Sequence, residues 1–290
     1  VTARRPGADG APAGDPPGDR AVSVPVPAER RHTLTFLSWA RGAAPVFLDT
    51  EVDMSAVVAH RRAAERAGRR CSTVACVLHA AGRVLARHPD ANAAIRGRGR
   101  PRIARYPTVN AKVALDKRLN GQRVVLAALL TGVHRSSLEQ IQDELEYWRR
   151  GDPDRMPEFA GLRKMQRMPW PLRSWANSSA VSSLRRRPRT MGTFALTSLA
   201  HRPVNGFHSF GGTTITLGVG QTTERPVVRD GVLGSAPVMQ LNLAFDHRVI
   251  DGAHAADVLT EIKEALEGFT DPADGGAAAR ERPLPGKGAR

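Results

Sequence analysis

The sequence predicts an α/β fold, and three observations carry that prediction. The run Val238-Met239-Gln240-Leu241-Asn242-Leu243-Ala244-Phe245 alternates as a half-buried strand does, and Ala256, Leu259, Ile262, Leu266 and Phe269 recur behind it at helical spacing. Between Ser72 and Arg87, Val74, Val77, Leu78, Ala81, Val84 and Leu85 form one apolar stripe, the mark of a core helix. The chain of 290 residues is long enough to bury one substantial core, and its body from 29 to 269 suits a single large domain.

Residues 1–28, crowded with Pro, Gly and Ala, are expected to be a disordered extension, as are residues 270–290. Pro45 to Asp53 reads as an early strand, followed by a polar, arginine-rich surface helix. Ser72 is a suitable N-cap for the core helix after it. Val109 to Leu115 and Val124 to Leu130 read as strands separated by the polar turn Lys117-Arg118-Leu119-Asn120-Gly121. Ser136 to Arg149 fits another helix, capped by Ser136 or Ser137 with Glu139 and Gln140 in its first turn. Arg150 to Thr190 is rich in Trp, Pro and Arg, with Trp170 and Trp175 among Met165, Met168 and Leu172. It can be a helical hairpin over the core or an acceptor or partner surface; loose helical spacing favours inward packing. Gly211-Gly212 and Leu217-Gly218-Val219-Gly220 form no dinucleotide fingerprint, so these glycines are assigned to turns and close strand packing.

The formal charge of +15 raises nucleic-acid binding, but arginine supplies nearly all of it and no nucleic-acid-binding motif accompanies it. Nucleic acid is therefore not an expected partner; a basic surface does suit the phosphates of an acyl-CoA or an acidic carrier protein. No apolar run is long enough to span a bilayer and no signal-peptide core opens the chain, so no membrane partner and a cytoplasmic location are expected. Cys71 and Cys76 are too few for a disulfide framework and lack zinc spacing, and are expected to fill space in or beside a helix; no metal is expected.

The chemistry centres on Phe245-Asp246-His247-Arg248-Val249-Ile250-Asp251-Gly252, which joins the alternating strand to its helix and holds His247 at a strand end. His247, Asp251 and Gly252 match the His-x-x-x-Asp-Gly signature of chloramphenicol acetyltransferase and the catalytic domain of 2-oxoacid dehydrogenase acyltransferases. The string Asp-His-Arg-x-x-Asp-Gly-Ala resembles the second family more closely. Similarity runs from 29 to 269 through Phe47-Leu48-Asp49-Thr50-Glu51-Val52-Asp53, His88-Pro89-Asp90-Ala91-Asn92, Gly192 to Leu199, and Leu217 to Gly220.

That resemblance implies a chloramphenicol acetyltransferase-like mixed-sheet sandwich with helices, assembled as trimers with the site at subunit interfaces and with larger assembly left open. It implies direct acyl transfer in a ternary complex, with acetyl-CoA or another acyl-CoA as co-substrate and no permanently bound cofactor. His247 becomes the general base. Thr197 takes the place of the family's oxyanion-supporting serine, with Ser198 in reserve, and its extra methyl restricts its rotamer. Asp251 is implied to be a structural ion-pair member whose partner is Arg30, beside Arg31; the other reading of Arg30 is a solvated charge. His254, on the following helix, is read as a surface or packing residue.

The space before Arg30 is too short for the lipoyl and subunit-binding domains of complete dihydrolipoamide acyltransferases. The sequence resembles instead the stand-alone O-acetyltransferases of actinomycete tetronate biosynthesis. The expectation is an acyl-CoA-dependent O-acyltransferase of natural-product biosynthesis, acetylating the primary hydroxyl of a tetronate before elimination. A lipoamide acyltransferase using a lipoyl domain in trans is the second reading, and a non-catalytic trimeric scaffold the third.

Overall fold

The computed structural model of the chain describes residues 23–97, 99–166, 168 and 183–270. A six-stranded mixed sheet runs in the order β1-β8-β7-β6-β4-β5, with β2 (Ala93–Arg96) and β3 (Arg102–Arg105) forming a separate antiparallel pair. β1 (Pro45–Asp53) has the bounds read from sequence and lies antiparallel along β8 (Val232–Asp246), from Pro45 opposite Asp246 to Asp53 opposite Val238. β7 (Ile215–Arg229) borders β8 on its other side. The short β6 (Phe194–Ser198) is parallel to β7 and to β4 (Ala111–Leu119), which closes onto β5 (Gln122–Leu130) as a hairpin.

That hairpin is tighter than the expected polar turn. Asn120 and Gly121 both have positive φ, 49° and 76°, the signature of a two-residue turn whose twist matches its strands. Lys117, Arg118 and Leu119 therefore belong to β4. Leu119 is completely buried, and Lys117 Nζ donates to the carbonyls of Arg149 and Gly151. A lysine and an arginine beside it suggest solvent, but the lysine's ammonium closes the end of a helix.

The helices follow the sequence reading with two refinements. α1 (Arg31–Ala40) precedes β1, and α2 (Ser55–Arg66) is the arginine-rich helix, burying only Val57 and Ala64. α3 (Thr73–Arg87) is almost wholly buried, and the Ser72 hydroxyl accepts from Ala75 N at 3.2 Å as its cap. Cys76 lies buried within α3 and Cys71 just before it. α4 (Leu138–Arg150) settles the choice of cap: Ser137 and Gln140 form a reciprocal capping box. Trp148 of α4 meets Phe159 edge-on, their ring centres 5.5 Å apart, and α5 (Ala160–Gln166) follows. Trp170 and Trp175 lie outside the described residues. α6 (Arg187–Thr190) leads into β6.

α7 (Gly252–Glu267) packs on α3, α2 and β1. Its buried face is Ala255, Val258, Leu259, Ile262 and Leu266, with Phe269 buried beyond its end. Ala256 is exposed, so the stripe read from sequence was rotated by one residue at its start. No described helix is long and apolar enough to cross a membrane.

Both glycines of the Leu217-to-Gly220 run are sterically required: a Cβ on Gly218 would lie 2.6 Å from the Phe207 carbonyl oxygen. A Cβ on Gly220 would lie 1.7 Å from the Asn205 carbonyl oxygen, because the 200–210 loop crosses β7 there and Gln221 N donates to Val204 O. The register with β8 shifts at the same place, between Val219 and Thr222. Gly220→Ala must displace backbone rather than a flexible side chain, at roughly 1–3 kcal/mol. Gly234→Ala, which meets nothing within 4 Å, should stay within about 0.5 kcal/mol of wild type. Urea unfolding of both variants checks the contrast; equal midpoints would contradict it.

Candidate active site

β8 ends at Asp246, whose side chain is only 4% exposed. Its Oδ1 accepts from Arg248 N at 3.2 Å and Nε at 2.8 Å, and its Oδ2 from Nη2 at 2.5 Å. Arg248 Nη1 donates in turn to the Gly42 carbonyl, and His247 N donates to Ala44 O at 2.9 Å. The loop entering β1 and the turn leaving β8 are thereby clamped together. Burial pushes the Asp246 carboxyl up, but the hydrogen bonds and charge of Arg248 outweigh it and hold the group below the usual carboxylate range.

The imidazole of His247 stands out from this clamp, 46% exposed, with Phe245 beside it at 5.4 Å between ring centres. Its Nδ1 is 3.4 Å from Asp251 Oδ1, within ion-pair range though longer than a good hydrogen bond. A carboxylate on that side favours the proton on Nδ1 and leaves the Nε2 lone pair free to accept one. Asp251 occupies the N-cap position of α7 in extended conformation, makes no capping hydrogen bond and is 88% exposed.

Within one copy Asp251 does not meet Arg30, the partner expected for it. Asp251 sits at a helix start that turns its carboxylate outward beside the imidazole, whereas Arg30 lines a groove next to Thr197. The structural ion pair of the motif is Asp246 with Arg248, which the sequence reading passed over. Its signal was present: an acid and an arginine flanking the histidine at a strand end, where a buried carboxylate needs a partner. His254, read as a surface or packing residue, meets His88, whose other ring nitrogen contacts Glu261 at 2.8 Å.

Thr197 and Ser198 are half-buried at the end of β6 and line a groove of about 1000 Å³. Its walls are the start of α3 at Ser72 and Thr73, the β4–β5 hairpin, and residues 198–202. Ser198 Oγ already accepts from Ala200 N at 3.3 Å and serves the turn that follows. Thr197 is the hydroxyl at the groove without that turn-forming task.

His247 is not part of this groove. Thr197 lies opposite Gly218, and Gly218 opposite Asn242, five residues before His247. At strand spacings this separates the two residues by roughly 17 Å along the sheet and about 10 Å across it. One copy therefore carries the imidazole and the hydroxyl as two half-sites that cannot meet on one reacting carbonyl. No group of three or more His, Cys, Asp or Glu that could hold a metal occurs among the described residues.

The fold is that of dihydrolipoamide acetyltransferase cores. It is similar to a probable dihydrolipoamide acetyltransferase from Listeria monocytogenes 4b F2365, with TM-score 0.64 and 18% identity over 89% of this chain and 98% of that one. The cubic core of the pyruvate dehydrogenase multienzyme complex gives TM-score 0.64 and 21% identity, over 90% and 98% of the two chains. Azotobacter vinelandii dihydrolipoamide acetyltransferase gives 0.63 and 22% over the same shares. The family model of the 2-oxoacid dehydrogenases acyltransferase (catalytic domain) matches residues 19–150 and 179–273, and the chain belongs to that family. Among curated relatives, the dihydrolipoyllysine-residue acetyltransferase component of the Bacillus subtilis (strain 168) pyruvate dehydrogenase complex is 52% identical over 50 residues. That match spans 17% of this chain and only 11% of the relative. The break in the family match, 151–178, falls within the Arg150-to-Thr190 segment singled out in the sequence.

Asp246→Asn keeps the side chain's shape and removes its charge. Because the folded-state pKa lies below the unfolded value near ~3.9, the ionic contribution is complete above that pH and is lost as pH falls through the lower folded value. We expect the variant to be less stable at pH 7 by roughly 1–3 kcal/mol, discounted for the partly exposed arginine, with the gap narrowing below about pH 4. Urea unfolding at the two pH values checks this; a gap that does not change with pH would contradict it.

Proposed function

We propose that this chain is an acyl-CoA-dependent O-acyltransferase of natural-product biosynthesis that works as a trimer, each active site completed by two neighbouring subunits. The separation of His247 from Thr197 within one copy carries the proposal: only a second copy can bring the two groups to one thioester. His247 Nε2 takes the proton of the acceptor hydroxyl as its oxygen attacks the thioester carbonyl. The oxyanion of the tetrahedral intermediate takes a hydrogen bond from the Thr197 hydroxyl. Collapse breaks the carbon–sulfur bond, and the imidazolium returns its proton to the departing CoA sulfur. Asp251, on the Nδ1 side, stabilises the transient imidazolium; this is a positioning role reached through His247.

For the acceptor, the most concrete reading is the primary hydroxyl of a tetronate, acetylated before elimination. Its support is the segment 151–178, which departs from the family and can serve an acceptor of different shape. The reading with lipoamide as acceptor, on a lipoyl domain in trans, is favoured by the named activities of the curated relatives, such as the dihydrolipoyllysine-residue acetyltransferase of Staphylococcus aureus (strain N315), 46% identical over 50 residues. Acetyl-CoA supplied with a hydroxymethyl tetronate and, separately, with dihydrolipoamide or a lipoylated domain distinguishes the two by mass spectrometry. The first reading expects an O-acetyl product without any lipoyl group; transfer to the thiols alone would overturn it.

His247→Ala should lower turnover by about 10² to 10⁴-fold. Thr197→Val should lower it by roughly 10² to 10³-fold, with less effect on acceptor affinity. Co-assembly of the two inactive variants in equal amounts should restore roughly one quarter of wild-type activity, since random mixing pairs an intact His247 with an intact Thr197 at one interface in four. The unfractionated mixture, dissociated and reassembled together, supplies the measurement. Recovery no greater than the sum of the single variants would refute a site shared between subunits.

A further inference from the structure

We propose that Cys71 and Cys76 are a peroxide-reactive dithiol that forms an intramolecular disulfide at the start of α3. Their sulfurs are 3.3 Å apart, against roughly 2.05 Å in a disulfide, a gap that side-chain rotation and a small shift of the loop can close. The loop is suited to that shift, since Cys71 follows the turn after α2 and precedes the first residue of α3.

The two thiols are unequal in the way a reacting pair needs. Cys71 is half-buried on the wall of a pocket of about 430 Å³ lined also by Arg61, Arg62, Arg70 and Arg149. The hydrogen bond from Cys76 brings the Cys71 thiol down to about 7 against the opposing effect of burial, and the charges of His60 and Arg61 add to it. Cys76 is buried, and its hydrogen bond to Cys71 together with burial pushes its thiol up. Cys71 is thus the accessible thiolate, and Cys76 the protected thiol held against it.

The chemistry balances with a hydroperoxide as oxidant. The Cys71 thiolate attacks one peroxide oxygen, forming a sulfur–oxygen bond and breaking the oxygen–oxygen bond; the departing hydroxide takes a proton and leaves as water, and Cys71 becomes a sulfenic acid. Cys76 then attacks that sulfur, forming the disulfide and expelling hydroxide, which takes the Cys76 proton and leaves as a second water. Two thiols are oxidised by two electrons and one peroxide is reduced. The new bond would span Ser72, which caps α3, donates from both its backbone and its hydroxyl to Gln142 of α4, and lines the Thr197 groove.

Hydrogen peroxide, applied to the whole chain before intact-mass and peptide analysis, tests this. We expect a mass loss of two hydrogens, a Cys71–Cys76 linked peptide and reversal by dithiothreitol. In Cys76→Ala a dimedone adduct should appear on Cys71, and in Cys71→Ser no linkage should form. Wild-type protein alone suffices if the variants fail to fold: at pH 7 iodoacetamide should label Cys71 at least ~10-fold faster than Cys76. Unchanged thiols after peroxide, links between rather than within chains, or equal labelling rates would overturn the proposal.

Discussion

The buried carboxylate of Asp246 fixes where β8 stops, and the geometry downstream follows from that stop. A charge this deep is tolerable only with its hydrogen bonds satisfied, and Arg248 supplies three from two residues away. The same guanidinium reaches Gly42, so the bend after β8 and the loop before β1 close as one unit. The backbone of His247 is pinned to Ala44 inside that unit while its imidazole is left outside. The general-base role proposed for His247 needs this combination: fixed position with an unobstructed nitrogen.

Sheet order then decides what His247 can reach. β6 is short, central and parallel to both neighbours, so Thr197 lies two strands from β8 and level with Asn242, five residues before His247. Strands are stiff at this scale, and the β7–β8 pairing leaves no hinge that could bring the two residues together. The closed assembly of identical copies proposed above would resolve the separation, because each copy would lend its imidazole to one neighbour and its hydroxyl to another.

The sequence disclosed those elements whose local chemistry and tertiary role agree. β1 and α3 have strong patterns and clear ends, and the Ser-x-x-Gln box of α4 marks its own start. Difficulty arose where a polar side chain does an interior task. Lys117 looks like turn surface yet closes the end of α4, and the exposed Ala256 is indistinguishable in composition from the buried Ala255. At the candidate site, the resemblance names His247, Thr197 and Ser198 and implies the Asp251–Arg30 pair. It does not disclose that Asp246 and Arg248 satisfy each other at the strand end, because that depends on burial created by β1 and the 42–44 loop.

The start of α3 gathers several of these constraints in one place. Ser72 caps the helix, ties it to α4 through Gln142 and forms part of the wall facing Thr197, and both cysteines flank it. A displacement there cannot remain local: losing the cap exposes helix amides, and losing the Gln142 contact strands a buried amide oxygen. The groove wall is therefore as rigid as the hydrogen bonds of a single serine. Its hydrogen bonds are separate from the Asp246–Arg248 clamp that holds His247, so the two proposed half-sites depend on different interactions within one chain.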